Sequence, residues 1–289
     1  MPHPELSVVI CSYRCREVLG DCLASILTAG GLDEVEVIVV DNASGDGTAE
    51  VARSFPGVRV LVNEANLGFS RANNRGLRLA RGRFRMILNP DMLVLDGALA
   101  ELVRFMDDHP DCGACGGRGF SPAGEEQPQF TRAVPTPLVA LFHFLRLDRL
   151  FPGSRLFGRY NYTWADREQV LEVEALSGSC MLTRPAALEE VGLLDERFPL
   201  YAEDLDWCLR FRRAGWKVNY VPTARFIHHH GRSSGKNLVW ARKQFFLTMR
   251  QFYNKHLRAE YNALVNLLVD AGILAGLGLG LLRAYLRCR

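Results

Sequence analysis

The stretch VEVIVVDNASGDGTAEVAR, residues 35–53, decides how the rest of the chain is read. Val35–Val40 is an apolar, β-branched run, which suits a strand covered on both faces of a sheet. It stops at Asp41, and a Ser/Gly/Asp-rich loop and a short helix follow. Working outward, the same alternation recurs. Upstream, Leu6–Cys11 is another β-branched run. Val18, Leu19, Cys22, Leu23, Ile26 and Leu27 then recur at helical spacing until Gly30-Gly31 stops them. Downstream come a strand at Val58–Val62, a helix at Ser70–Arg81, a strand at Phe84–Leu88 and a helix at Gly97–Asp108. Such alternation through short links predicts a mainly parallel α/β sheet. Ligands of these sheets bind beyond the carboxyl ends of the strands, so the polar residues there carry the functional reading.

Four strands in order deliver such residues to one edge: Ser12-Tyr13-Arg14, then Asp41 through Thr48, then Asn63 with Asn66 through Asn74, then Asn89-Pro90-Asp91. Asp41 can accept from the ring N–H of a pyrimidine base. Gly45 and Gly47 lack the third glycine and the first-strand position of a dinucleotide fingerprint, which excludes that reading. Asn89-Pro90-Asp91 sets an amide and a carboxylate two residues apart with proline fixing the backbone between them. That suits one divalent metal whose other ligands are phosphate oxygens and water. Further on, Glu203-Asp204-x-Asp206 gathers three acids before a helix at Trp207–Ala214. They cap that helix or supply a general base. His228-His229-His230 ends a strand at Ala224–Ile227, and His228 and His230 share a face from which either could reach a metal on Asp91.

Composition removes other classes. The chain has 289 residues, 48% hydrophobic and 23% charged, which is globular. A net charge of +3 gives no reason to expect a nucleic-acid partner. There are 31 Arg but only four Lys (Lys217, Lys236, Lys243 and Lys255), so no phosphate-binding lysine loop is available early in the chain. Eight cysteines make no disulfide scaffold, and Cys112-x-x-Cys115 has no second pair to complete a zinc site. No secretory signal is visible, which favours the cytoplasm. At the other end, Ala263–Leu282 is a 20-residue apolar run, about 30 Å as a helix and long enough to cross a bilayer. Gly272, Gly276 and Gly280 have the spacing of close-packed membrane helices, whereas Asn266 and Asp270 oppose a span. Residues 263–287 are therefore expected at a membrane surface, spanning or lying in it. Residues 117–170, with Pro, Gly, several aromatics and an apolar amphipathic segment at Pro137–Leu150, are expected to be an acceptor-side insertion.

The order of these motifs resembles that of bacterial family 2 glycosyltransferases, especially the rhamnosyltransferase-like branch. The matching stretches are VVICSYR, VIVVDNASGDGT, NEANLGFSRANNRG, MILNPDM, SGSCMLTRPAALEEVGLLDERF, YAEDLDWCLRFRRAGW and FIHHHGRSS, over roughly residues 5–235. The resemblance implies a GT-A type nucleotide-sugar-binding domain (residues 1–236) followed by C-terminal helices (residues 237–289). It implies inverting transfer from a nucleotide-sugar with Mg²⁺ or Mn²⁺. Ser12, Tyr13, Arg14, Asp41, Asn66, Gly68, Arg71, Asn73, Asn89 and Asp91 fall at the donor. Asp91 falls at the metal; His228 fits an H-x-x-G-x-S pattern with Gly231 and Ser233 and is preferred over His230 as a second ligand. Asp204 falls at the general base, and Ser177, Gly178, Glu203 and Trp207 on the acceptor side. The implied setting is cell-surface polysaccharide synthesis at the inner face of the membrane, with a saccharide or lipid-linked saccharide acceptor. dTDP-L-rhamnose is the first donor expected, ahead of UDP-hexoses. Two other classes stay open: a sugar nucleotidyltransferase, which should carry a Gly- and Lys-bearing loop where CSYRCRE stands, and a non-catalytic sugar-binding module, which would lack Asp204 or Asp91.

Overall fold

The computed structural model describes residues 4–229 and 238–287. Its frame is set by β1 (Leu6–Ser12) and β2 (Val35–Asp41), which pair in parallel with Val9 opposite Ile38 and Ser12 opposite Asp41. β3 (Arg59–Val62) continues the parallel sheet beyond β2, and β4 (Phe84–Leu88) lies on the other side of β1. Side chains on a strand alternate between faces, and here each face has its own core. Val8, Ile10, Val37 and Val39 pack with α1 (Arg16–Thr28) and α4 (Ala98–Asp108). Val9, Cys11, Ile38 and Val40 pack with α3 (Phe69–Leu77) and α8 (Glu203–Arg213). This two-sided burial is why the strands read as apolar runs rather than alternating ones.

Beyond β4 the sheet turns mixed. β10 (Cys180–Thr183) runs antiparallel to β4, and β6 (Cys112–Phe120) runs antiparallel to β10. β11 (Lys217–His228) lies parallel to β6, and β5 (Met92–Val94) closes antiparallel against β11. β8 (Leu171–Glu172) adds to the side of β11, giving nine strands in this sheet among the described residues. Between β6 and β10 the segment expected to be an insertion carries β7 (Thr131–Arg132), α5 (Pro137–Phe144) and α6 (Leu147–Leu150), and β7 pairs with β9 (Ala175–Leu176). The insertion expected from residue 117 starts inside β6, because Gly117 and Gly119 lie against Ala224, Phe226 and Phe130, where a larger residue would not fit. α2 (Thr48–Arg53) and α7 (Pro185–Val191) complete the sheet's connections.

The C-terminal helices are tied to the sheet domain by charge. Asp206 on α8 is fully buried and receives Arg210 (2.9 Å), His256 (2.7 Å) and Lys255. Lys255 and His256 end α9 (Leu238–His256), and Lys255 also reaches Asp195 (2.7 Å). Burial alone would raise the Asp206 carboxyl, but the bonds from His256 and Lys255 hold it below its ordinary range. α10 (Ala263–Arg287) packs along α9. The two residues that oppose a membrane span face protein: Asp270 pairs with Arg250 (3.0 Å) and Arg258 (2.9 Å), and Asn266 donates to the Arg258 (3.2 Å) and Tyr261 (3.0 Å) carbonyls. Two of the three spaced glycines seat Phe246 of α9. A Cβ on Gly276 would come within 2.5 Å of that ring, whereas Gly272 faces open space.

Candidate active site

The carboxyl edge of the sheet is built from tight turns whose polar groups satisfy one another. Asp41 is almost fully buried. Its Oδ1 accepts from the Ser12 (3.3 Å) and Ser44 hydroxyls, and its Oδ2 from the Ser44 amide (3.1 Å). A carboxylate has about four lone-pair sites, so three are filled and one, on Oδ2, is left for a ligand N–H. Asp41 also lines a cleft of about 360 Å³ with Gly45, Gly47, Arg53 and Val62, a size suited to a small ligand. Asn42 knits the next layer together. It accepts from Asn63 (2.9 Å) and the Leu67 amide (2.8 Å), and donates to Asn66 (2.9 Å) and the Gly68 carbonyl (3.2 Å). Asn66 therefore shapes the loop, with its Oδ1 also accepting from the Gly68 amide (2.9 Å). Gly68 has φ +81°, and a Cβ there would meet the Pro199 carbonyl at 2.8 Å, so only glycine brings this loop against the segment entering α8.

Backbone strain concentrates at this edge. Six non-glycine residues among those described have positive φ, and four of them lie in the site: Arg14 and Ala43 in the turns after β1 and β2, Tyr201 and Ala202 just before α8. Each such conformation costs on the order of 1–3 kcal/mol and persists where surrounding structure imposes it. Arg14 also lays its guanidinium over the Tyr13 ring at 5.4 Å.

Asp91 and His228 meet as the sequence allowed. β11 and β5 pair in a register that sets His228 opposite Met92, and His228 Nε2 stands 3.3 Å from Asp91 Oδ1. Asp91 Oδ1 is buried and has no hydrogen-bond donor. An orphaned carboxylate oxygen beside an imidazole nitrogen fits a divalent cation of the Mg²⁺/Mn²⁺ kind, the remaining positions being open to phosphate and water. Asp91 and Asp41 converge on the first turn: burial, together with Asp46, Asp91 and Asp41, pushes the Cys15 thiol up to about 12. That value, and the burial of all seven described cysteines, leaves them as inert packing groups. His230, Gly231 and Ser233 lie outside the described residues.

The turn Ser177-Gly178-Ser179 joins this edge to the acid cluster. The Ser179 carbonyl accepts from the Asn89 amide (2.9 Å), while the Gly178 amide donates to Asp204 Oδ2 (2.9 Å). Ser177 and Ser179 share a hydroxyl hydrogen bond of 2.9 Å. The three acids then have three fates. Asp204, in the first turn of α8, holds the Leu205 amide on Oδ1 (2.8 Å), and on Oδ2 the Gly178 amide and the Arg132 guanidinium. Glu203 is buried with Oε2 unpartnered; burial first, then the charge of Asp204, raises its carboxyl to about 8, so it is neutral at pH 7. Asp206 anchors α9 and takes no part in the site.

Three expected site residues stand elsewhere. Trp207 is fully buried and donates its indole N–H to the Gly192 carbonyl (3.0 Å), because its place on α8 faces the core and not an acceptor. Asn73 is equally buried and bonds the Phe69 carbonyl (3.0 Å) one turn back on α3. Arg71 points along the surface to Glu196 (3.3 Å) rather than into the phosphate region. Conversely, no motif announced Arg132 or Ser44. The first comes from irregular sequence; the second had only its place in the loop after β2.

The sequence model of the family described as Glycosyl transferase family 2 matches residues 7–192. The chain belongs to that family. It is 33% identical over 249 residues, 80% of this chain and 78% of the other, to an N-acetylglucosaminyl-diphospho-decaprenol L-rhamnosyltransferase of Mycobacterium tuberculosis. Among solved structures it resembles a mannosyltransferase of Pyrobaculum calidifontis in complex with GDP-Man and Mn²⁺, with TM-score 0.60 and 19% identity over 97% of this chain and 73% of that one. S. aureus TarS in complex with UDP-GlcNAc is similar at TM-score 0.58 and 17% identity, covering 94% of this chain and 72% of that one. The fold is thus of GT-A type, and the protein is a glycosyltransferase. The nucleotidyltransferase and binding-module readings fall away.

Proposed function

We propose that this glycosyltransferase is inverting and metal-dependent. On this reading it moves a sugar from a nucleoside-diphosphate sugar, with dTDP-L-rhamnose the first candidate, to a hydroxyl of a saccharide or lipid-linked saccharide in bacterial cell-surface polysaccharide synthesis. The observation that carries the reading is the Ser177–Ser179 turn, which ties Asn89 beside Asp91 to Asp204 through a backbone hydrogen bond from Asn89 and one from the Gly178 amide to the Asp204 carboxylate. A diphosphate at Asp91 and a base at Asp204 are then fixed relative to each other. Ser12, Tyr13, Arg14 and Asp41 face the nucleoside, with Asn66 and Gly68 holding the loop beside it. Asp91 and His228 would hold Mg²⁺ or Mn²⁺, which when bound supplies positive charge for the leaving diphosphate.

Asp204 takes the proton of the acceptor hydroxyl. That oxygen bonds to the anomeric carbon from the face opposite the diphosphate, the anomeric carbon–oxygen bond to phosphate breaks, and configuration inverts. One displacement needs no enzyme nucleophile. Rhamnose is favoured over UDP-hexoses by the mycobacterial relative, and the same relative favours a lipid-diphosphate acceptor. Asp41 accepts from uracil and thymine alike.

Residues 1–236 serve as the catalytic unit and 237–289 as a tail that meets the inner face of the membrane. The helix at Ala263–Leu282 is apolar enough to span, yet its polar residues and two glycines engage α9. Leu264, Leu267, Leu274, Leu279 and Leu282 are 55–65% exposed. An apolar face backed by a protein-bound polar face supports a helix lying in the interface. The test is a panel of nucleotide-sugars with and without Mn²⁺, the product anomer being read by NMR. Inverted product from dTDP-L-rhamnose that is lost with EDTA is expected; retained configuration or turnover without metal would overturn the mechanism.

A further inference from the structure

A second cavity, of about 100 Å³, opens between the 117–170 segment and α9. Its walls are apolar: Ala140 and Phe144 of α5, Leu205 of α8, Phe245 and Met249 of α9. The strained pair Tyr201-Ala202 lines it as well. Its cation is the guanidinium of Arg132. This group donates through Nη2 to Asp204 Oδ2, while its Nε is buried with no acceptor. A buried unpaired N–H costs about 1–3 kcal/mol, so this pose leaves Arg132 short of a partner. It also closes Oδ2 of Asp204, both of whose lone pairs are used by Gly178 and Arg132, while Oδ1 holds the Leu205 amide and keeps one site. Arginine keeps its charge, so only another anion draws it away. An apolar slot with a guanidinium in it fits an apolar chain joined to phosphate. The slot's rim continues onto exposed Leu138, Leu141 and Leu145.

We propose that Arg132 is a positioning residue that takes the diphosphate of a lipid-linked acceptor and thereby uncovers Oδ2 of Asp204 for the acceptor hydroxyl. The inference rests on the reading of Asp204 as base and of the acceptor as lipid-diphosphate-linked. It makes the enzyme selective in a definite way. Water and phosphate-free sugars meet a carboxylate whose Oδ2 is covered, whereas the proper acceptor opens that oxygen.

The experiment compares transfer from dTDP-L-rhamnose to farnesyl-diphospho-N-acetylglucosamine and to octyl N-acetylglucosaminide, in wild type, Arg132→Gln and Arg132→Lys. Wild type should prefer the diphosphate acceptor roughly tenfold or more in kcat/KM, the scale of one charge-assisted hydrogen bond. Arg132→Gln should bring that ratio near one, through a larger rise in KM for the diphosphate acceptor than for the octyl glycoside, with dTDP affinity unchanged. Arg132→Lys should restore part of the ratio. Equal loss with both acceptors would reduce Arg132 to a structural role and overturn the inference. A fall in dTDP affinity would assign it to the donor diphosphate and overturn it too. A wild type without preference would instead refute the lipid-diphosphate reading, and the inference with it. Should the variants not fold, wild type still decides. Farnesyl diphosphate should raise donor hydrolysis several-fold where farnesol does not, and no difference between them would overturn the proposal.

Discussion

The donor edge and the acceptor side of this glycosyltransferase solve the same problem, placing polar groups beside a reacting centre, by opposite means. At the donor edge many bonds close within a few residues, Ser44 with Asp41, Asn66 with Gly68, Asp46 with Thr48, while Ser12 and Asn42 tie neighbouring turns together. On the acceptor side the partners are distant in sequence. Arg132 meets Asp204, and Lys255 meets Asp206 and Asp195. The first arrangement needs only a local motif. The second needs the whole fold to be in place; unpaired buried atoms occur on both sides, Asp91 Oδ1 at the donor edge and Arg132 Nε with Glu203 Oε2 on the acceptor side. On the proposed reading, local loops would receive the nucleotide, while long-range contacts would leave room for change when the acceptor arrives.

The largest break in this contrast is expected at the junction of the two halves. Asp204→Asn should lower transfer by about 10²–10⁴-fold, the range of a general base, while calorimetry finds dTDP affinity within a few-fold. Near wild-type turnover would remove Asp204 from the mechanism. Next, Asp41→Asn should weaken dTDP and UDP about equally, by roughly tenfold for one charge-assisted bond, with acceptor KM unchanged. A loss confined to one nucleotide would mean that Asp41 does not read the group the two bases share. Third, Leu267→Lys with Leu274→Lys on the exposed face of α10 should cut flotation with anionic vesicles several-fold, without a change in melting temperature or in transfer to a water-soluble acceptor. Unaltered flotation would free α10 from a membrane role.

The smallest effect sharpens the contrast through pH. Glu203 is raised to about 8 from an ordinary carboxylate value of 4.5. Because the folded state holds the proton more tightly, its contribution to stability is fully present below pH 4.5 and is lost as pH rises through 8. Glu203→Gln keeps the neutral form, so its melting temperature should match wild type near pH 4.5 and exceed it by a few degrees at pH 9. A gap independent of pH would show that Glu203 is not the buried proton holder.

The sequence was most informative where the chemistry is local. The strands Leu6–Ser12, Val35–Asp41 and Phe84–Leu88 appear in it as mainly apolar runs, interrupted inside only by Ser7, Glu36 and Arg85, because both faces are covered, and the polar residues at and after each strand's end are the ones that form the edge. β5, β10 and the true start of the insertion were not legible. β5 has three residues and β10 four, and both exist through pairing with β11, β4 and β6. Trp207 shows the limit from the other direction. It sits in the acid-rich motif, three residues after Asp204, yet it is fully buried and its indole N–H is taken by the Gly192 carbonyl.

What the sequence determined by itself is the early alternation of strands and helices, the family and the edge at which the nucleotide-sugar is expected, since each follows from hydrophobic period and turn chemistry within short windows. The tertiary structure alone decided which acid stands beside Arg132, which one anchors α9 and which one stays neutral. It also decided that Asn266 and Asp270 turn inward to leave an apolar face on α10. Those outcomes depend on burial and on partners up to 72 residues away, and no local pattern encodes the dielectric or the charge that a side chain meets once the chain has closed around it.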